Sequence, residues 1–322
     1  MRTFNTSDAT TRWPSLAIGL LALATVALAG APMAQAEDGP FGLKLSGSFG
    51  PGGFDRNRYV PPLTHFAIDE TPFITTELRP IYAHQNIPNG FVTQGGNVDA
   101  VALQGRLAIT ERLGLIATTD GYADVDFDAT LPDTNGFLDI TAGLKYAVHF
   151  DPTAGEIVTF GLRYTAPTGD LETAGIDLTG RGKGFINPFV TAAKTWERVQ
   201  VQGAGGAQIA LSDANWSYVH LNGHVNYQVA ERLFPFIEVN ALLPYDGGNQ
   251  FAKGTPVLSE VTGGDILDLG APDPDDTVTL GGGLRFRLND NMLIGAGAEA
   301  NVLDDDNSVF DWRITADMVI HF

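Results

Sequence analysis

Cysteine does not occur among the 322 residues. Its absence excludes a disulfide framework, a thiolate metal site and a cysteine nucleophile. Basic residues are scarce, with 19 Lys and Arg against 38 Asp and Glu. Setting aside residues 1–36 removes Arg2, Arg12 and Asp8, leaving 17 basic against 37 acidic side chains and a formal charge near −20. Such a chain repels phosphates, so nucleic acid is excluded as a partner. Long apolar runs are missing too. Nothing after Ala36 approaches the ~20 apolar residues of a membrane-crossing helix.

What is present begins with an export pattern. Arg2 and Arg12 lie in a polar start, an apolar run extends from Leu16 to Ala29, and Ala34-Gln35-Ala36 forms an A-x-A cleavage signal. The expected organisation is a signal peptide over 1–36, an irregular periplasmic linker or plug over 37–72, and one domain over 73–322.

That domain alternates with period two, the mark of strands whose side chains point to opposite faces. In "YVHLNGHVNYQV", Val219, Leu221, Val225, Tyr227 and Val229 oppose His220, Asn222, His224, Asn226 and Gln228. In "VFDWRITADMVIHF", Phe310, Trp312, Ile314, Ala316, Met318, Ile320 and Phe322 oppose Asp311, Arg313, Thr315, Asp317 and His321. Twelve strands are expected, near 75–84, 97–109, 114–121, 136–148, 157–167, 185–195, 199–211, 216–229, 234–243, 277–288, 293–303 and 309–322. Their lengths suit tilted membrane strands of ~9–11 residues. Tight turns such as "TERL" (110–113) and "NDN" (289–291) alternate with long links at 85–96, 122–135, 168–184 and 244–276. Short turns on one rim and long loops on the other are the arrangement of outer-membrane barrels. A soluble sandwich or barrel shares the alternation. The apolar-face aromatics Tyr146, Phe160, Tyr164, Tyr227, Phe310 and Trp312, mostly near strand ends, favour a membrane girdle. Pro80 and Pro188 sit badly inside strands, since proline cannot donate to a ladder.

The terminal pattern Phe322, Ile320, Met318 resembles the C-terminal β-signal of bacterial outer-membrane proteins. Residues 73–322 as a whole resemble uncharacterised proteobacterial barrels of the transporter- and porin-like kind. The resemblance implies an all-β, transmembrane, antiparallel up-and-down β-barrel of about 12 strands in the outer membrane of a Gram-negative bacterium. Its implied partners are outer-membrane lipid and lipopolysaccharide, the barrel-assembly machinery and a small solute.

The polar face supplies the lumen-lining candidates: Glu77, Arg79, Arg106, Asp120, Asp139, Lys145, Arg163, Glu238, Arg285, Arg287, Glu299, Asp311, Arg313 and Asp317, with His220 and His224. Among the carboxylates and cations, seven are acidic and seven basic, which suggests pairing across the lumen. No cofactor is expected. His220 and His224 share a face about 13 Å apart along a strand, too far to share one metal. The acidic runs "DPDDT" and "DDD" are read as solvated loops, with calcium bridging as the rival. The favoured function is a narrow channel or transporter for small hydrophilic solutes. Two alternatives stand beside it: an outer-membrane acyl hydrolase, and a structural or adhesive barrel with a charge-paired closed lumen. The enzyme reading is weak, because the six serines after residue 36 offer no G-x-S-x-G elbow. Arg56 and Arg58 are expected to reach inward acids such as Asp139 or Glu299, with part of 40–70 narrowing the periplasmic mouth.

Overall fold

The structure, a computed structural model, describes residues 59–118, 121–255, 257–303 and 306–322. The expected signal peptide, together with Arg56, Arg58 and Asp120, lies outside the described residues. Sixteen strands are formed among them: β1 (Glu77–Ile87), β2 (Gly96–Ala108), β3 (Leu113–Ala117), β4 (Gly121–Phe127), β5 (Thr134–Phe137), β6 (Ile140–Asp151), β7 (Glu156–Ala166), β8 (Glu172–Thr173), β9 (Ile176–Asp177), β10 (Phe185–Trp196), β11 (Val199–Ala210), β12 (Ser217–Tyr227), β13 (Leu233–Asp246), β14 (Thr277–Asn289), β15 (Met292–Asn301) and β16 (Trp312–His321). No described helix is long and apolar enough to cross a membrane.

Neighbours in sequence pair antiparallel around the sheet, and β1 pairs with both β2 and β16, so the sheet closes. β3 and β4 occupy one wall position, pairing with successive stretches of β2, and β5 and β6 occupy the next. The result is a closed barrel of twelve strand positions, with β8 and β9 a small hairpin apart from it. Closure gives β1 a ladder on both sides, while the short β5 keeps a ladder to β4 alone.

Most expected strands recur, with two departures. The expected strand 114–121 stops at Ala117, and the expected loop 122–135 is mostly strand, because β4 and β5 extend that hairpin. The prolines are accommodated on one side only. Arg79 and Pro80 keep their β2 partners Gln104 and Leu103, while the ladder to β16 skips both. Asn187 and Pro188 likewise keep Arg163 and Leu162 of β7 but drop out of the ladder to β11. Each missing N–H thus costs ladder pairs toward one neighbour rather than a strand.

Burial fixes which face points inward. On β12, Tyr218, His220, Asn222, His224 and Asn226 are buried, while Val219, Leu221, Val225 and Tyr227 are exposed. The same inside-out order recurs with Leu144, Phe160, Leu162, Ile237, Leu280 and Ile314 facing out. Such a belt is built for hydrocarbon, not water. Phe310 departs from expectation: it is buried, with the Arg313 guanidinium 4.8 Å above its ring. It lies before β16 begins, so the strand's alternation does not reach it. At the periplasmic end Met318 and Phe322 are half-buried and Ile320 is buried.

Leu221, outward at the middle of β12, gives a direct check on the belt. Leu221→Arg is expected to lower folding stability in lipid vesicles by about 2–4 kcal/mol, as a midplane cation does, measured by denaturant titration. An unchanged midpoint would place this face in water.

Candidate functional site

The interior of the barrel is filled in three tiers, where inward wall side chains meet chain that is not wall. Residues 59–75, ahead of β1, are all buried. Near the periplasmic end, Tyr59, Phe73 and Ile74 pack with Ala108, Ile157, Ala193, Leu293 and Val319. At the outer end, Phe66, Ala67 and Ile68 join inward residues of β1, β2 and β4 and apolar residues of the long loops, among them Leu178, Trp216, Leu267 and Leu269. Between these apolar tiers lies a layer of charge.

In that layer, wall side chains grip the main chain of the leading segment. Glu238 accepts from the N–H groups of Leu63 and Thr64 at 2.8 and 2.7 Å. Arg79 and Arg285 both donate to the Pro62 carbonyl, at 2.7 and 3.0 Å. Arg163 donates to the carbonyls of Ala67 and Ile68, Gln104 to that of Phe66 and Thr191 to that of Glu70. Segment side chains answer. Glu70 receives a fork from Arg106, Nε to Oε1 at 2.8 Å and Nη2 to Oε2 at 2.9 Å, and Lys145 Nζ donates to Oε1 at 2.7 Å. His65 Nδ1 lies 3.0 Å from Glu299 Oε2. Charge-assisted forks of this kind are among the stronger hydrogen bonds proteins make.

The wall also pairs with itself. Asp317 holds Arg79 and Arg285, Glu77 accepts from Arg106, and Arg313 is bound to Glu299. Arg287 donates to the Tyr59 carbonyl. His224 sits 2.6 Å from Glu238, whereas His220 faces Asn187 and Asn222, so the two histidines serve separate contacts. Phe189 lies across Gly161, where a Cβ would come within 2.1 Å of the ring, and carries the Arg163 guanidinium 4.9 Å from its centroid.

Two expected lumen acids stand elsewhere. Asp139 lies between β5 and β6, accepting from the N–H groups of Gly169 and Gly180 at 2.8 and 2.9 Å. Asp311 is half-buried at the outer rim, before β16 begins. The expected pairing of Arg56 or Arg58 with Asp139 or Glu299 involves residues outside those described. Among the described residues the wall therefore presents seven buried basic side chains, Arg79, Arg106, Lys145, Arg163, Arg285, Arg287 and Arg313, against four buried acids, Glu77, Glu238, Glu299 and Asp317. Of the seven expected acids, Asp139 and Asp311 stand outside this buried set and Asp120 lies outside the described residues.

The outer cap is tied by Arg181, which donates to the carbonyls of Asp177 and Ala214, to Gln250 Oε1, and pairs with Asp268 at 3.1 Å. From the same loop, 247–276, Asp265 reaches Arg313 at 2.7 and 3.2 Å. Glu70, Asp265 and Arg181 were not among the expected site residues. Ile266, Leu267 and Leu269 around Asp265 were the available signal, since a solvated loop has little use for such a run.

No protein-family profile matches the chain, and no curated protein matches it by sequence. Solved structures share its architecture. An outer membrane channel from Pseudomonas putida F1 is 18% identical with a TM-score of 0.52, covering 82% of this chain and 100% of that one. The β domain of the Bordetella autotransporter Brka is 11% identical with a TM-score of 0.45, over 77% and 100%. KdgM porin is 11% identical with a TM-score of 0.42, over 76% and 99%. The first likeness carries the argument, and at its low identity it establishes fold alone. By fold, the chain is an outer-membrane β-barrel.

Burial pushes the Asp268 carboxyl up to about 7, against the opposing pull of Arg181 and the Gly270 N–H. A carboxyl raised in the closed cap binds its proton more tightly there than in an open loop near 3.8. The cap is then most stable in acid, loses stability as pH rises from about 4 to about 7, and changes no further above that. Hydrogen exchange of loop 247–276 should accelerate across this window, after correction for the intrinsic rate. Asp268→Asn should flatten the profile; an unaltered profile would remove Asp268 from the account.

Proposed function

We propose that this barrel is a gated conduit for small hydrophilic solutes, seen here closed by its own leading segment and outer cap. One observation carries the reading: residues 59–75 are bound to the wall through wall side chains rather than by a strand ladder. Glu238, Arg79, Arg285, Arg163, Gln104 and Thr191 all reach main-chain groups of the segment. Side-chain bonds of this sort exchange readily for water, at a net worth of only about 0.5–3 kcal/mol each, whereas withdrawing a strand would open the barrel. A lumen lined with Asn, Gln, Thr and charged groups would hydrate once the segment left.

Conductance across a planar bilayer tests this. The full-length chain is expected to show rare openings, and a chain trimmed to begin at Thr71 larger and more frequent steps. Silence from both, with the barrels shown to be assembled, would sink the conduit in favour of a structural barrel. Release of fatty acid from phospholipid would instead favour the acyl-hydrolase reading. The proposal also assigns Met318, Ile320 and Phe322 to recognition by the assembly machinery. Deleting Phe322 should reduce the yield of heat-modifiable barrel while export continues, and a normal yield would withdraw that assignment.

A further inference from the structure

The charge count raises a question that the conduit reading leaves open. Among the described residues, seven buried basic wall groups face four buried wall acids, and the difference is narrowed from inside. The leading segment brings Asp69 and Glu70, and the cap loop brings Asp265, all buried. Two of these pair directly with wall cations, Glu70 with Arg106 and Lys145 and Asp265 with Arg313, so among the described residues the closed interior gains negative charge from the insert and the cap. Removing the insert leaves a cationic lumen. Fixed charge of one sign lining a narrow pore selects ions of the other sign.

Glu70 marks where that excess is concentrated. Its carboxylate lies in the Arg106 fork with Lys145 Nζ on the same oxygen, and all three side chains are about 1% exposed. Arg106 and Lys145 come from β2 and β6, on the two sides of β3, so the wall itself sets their spacing. Glu77 accepts from the remaining Arg106 Nη1 at 2.9 Å and orients the guanidinium without occupying the fork. Arg106 can present this planar, bidentate face to any carboxylate of similar shape.

We propose that Arg106 and Lys145 form a binding site for the carboxylate group of small anionic solutes, occupied in the closed state by Glu70 as a tethered surrogate. The substrate class deepens the conduit reading and rests on it, but the site itself is testable without any current. Glu70→Ala vacates the carboxylate's place in the full-length chain. In detergent, acetate is expected to raise the thermal stability of this variant more than chloride at equal ionic strength. The gain should disappear when Arg106→Gln is added, and should be absent from the chain with Glu70 intact. Equal effects of acetate and chloride on Glu70→Ala would overturn the site. Should Glu70→Ala fail to fold, the shape-preserving Glu70→Gln serves in a second measurement.

That measurement is the reversal potential of full-length Glu70→Gln in a potassium chloride gradient, with sodium succinate then added. Chloride preference is expected, with succinate block weakened roughly tenfold or more by Arg106→Gln, the ratio one charge-assisted contact commands. Cation preference, or block indifferent to Arg106, would overturn the inference while leaving a conduit standing. Acetate rescue in a barrel that never conducts would keep the site and discard the conduit.

Discussion

A guanidinium sealed away from bulk water loses several kcal/mol of hydration unless carboxylates and carbonyls replace it. Closing the sheet with its polar face inward imposes that demand on seven basic side chains at once. The wall meets part of it with Asp317 between Arg79 and Arg285 and Glu299 beside Arg313. The rest is met by chain threaded through the middle, whose carbonyls at Tyr59, Pro62, Ala67 and Ile68 accept from Arg287, Arg79, Arg285 and Arg163. The irregular form of the segment suits that task. A strand would spend its carbonyls on a neighbour, whereas an unpaired backbone keeps them available for side chains.

Arg313 joins the two halves of the closure. It bonds Glu299 of the wall and Asp265 of the cap, lies 3.3 Å from His65 of the segment, and stands over the rings of Phe66 and Phe310. The periplasmic insert and the outer loops thus meet on one guanidinium. Displacing either leaves Arg313 less well satisfied and strengthens its demand on the other. Sharing of this kind makes the two closures energetically coupled through a common partner. Coupling also follows from the outer apolar tier, where Phe66 and Ile68 of the segment pack in one cluster with Leu267 and Leu269 of the cap.

The wall was readable from sequence because its information is local. Period two along β12 or β16 states which side chains share a face, and tight turns state where the chain reverses. Both survive without knowledge of any distant residue. The lumen was only half readable for the same reason. Facing inward is local, but having a partner is not: Glu238 meets Thr64 across 174 positions and Arg313 meets His65 across 248. Asp139 had the right parity on a strand expected to be continuous, which the structure interrupts between β5 and β6, and Asp311 on one expected to begin earlier than β16 does. Glu70 lies in a stretch without period, where nothing local distinguishes a buried acid from a solvated one.

A closed, filled barrel invites the view that its lumen is only a core. Energetics argue against that. Ion pairs in a low-dielectric interior contribute little net stability, and well-packed apolar groups in their place are often as stable or more so. This chain uses apolar packing where it serves: above the charged layer around Trp216 and Leu269, and below it around Tyr59 and Phe73. Between those tiers it retains buried charges, amides and histidines that stability alone would not select. On the gated-conduit proposal, a middle tier that tolerates water accounts for this pattern: departure of the insert takes Tyr59, Phe73 and Ile74 from the lower tier and Phe66, Ala67 and Ile68 from the upper, while the wall's own polar groups remain to be hydrated. On that proposal the wall is composed for the state in which the lumen is wet, and the insert is composed to satisfy that wall while it is dry.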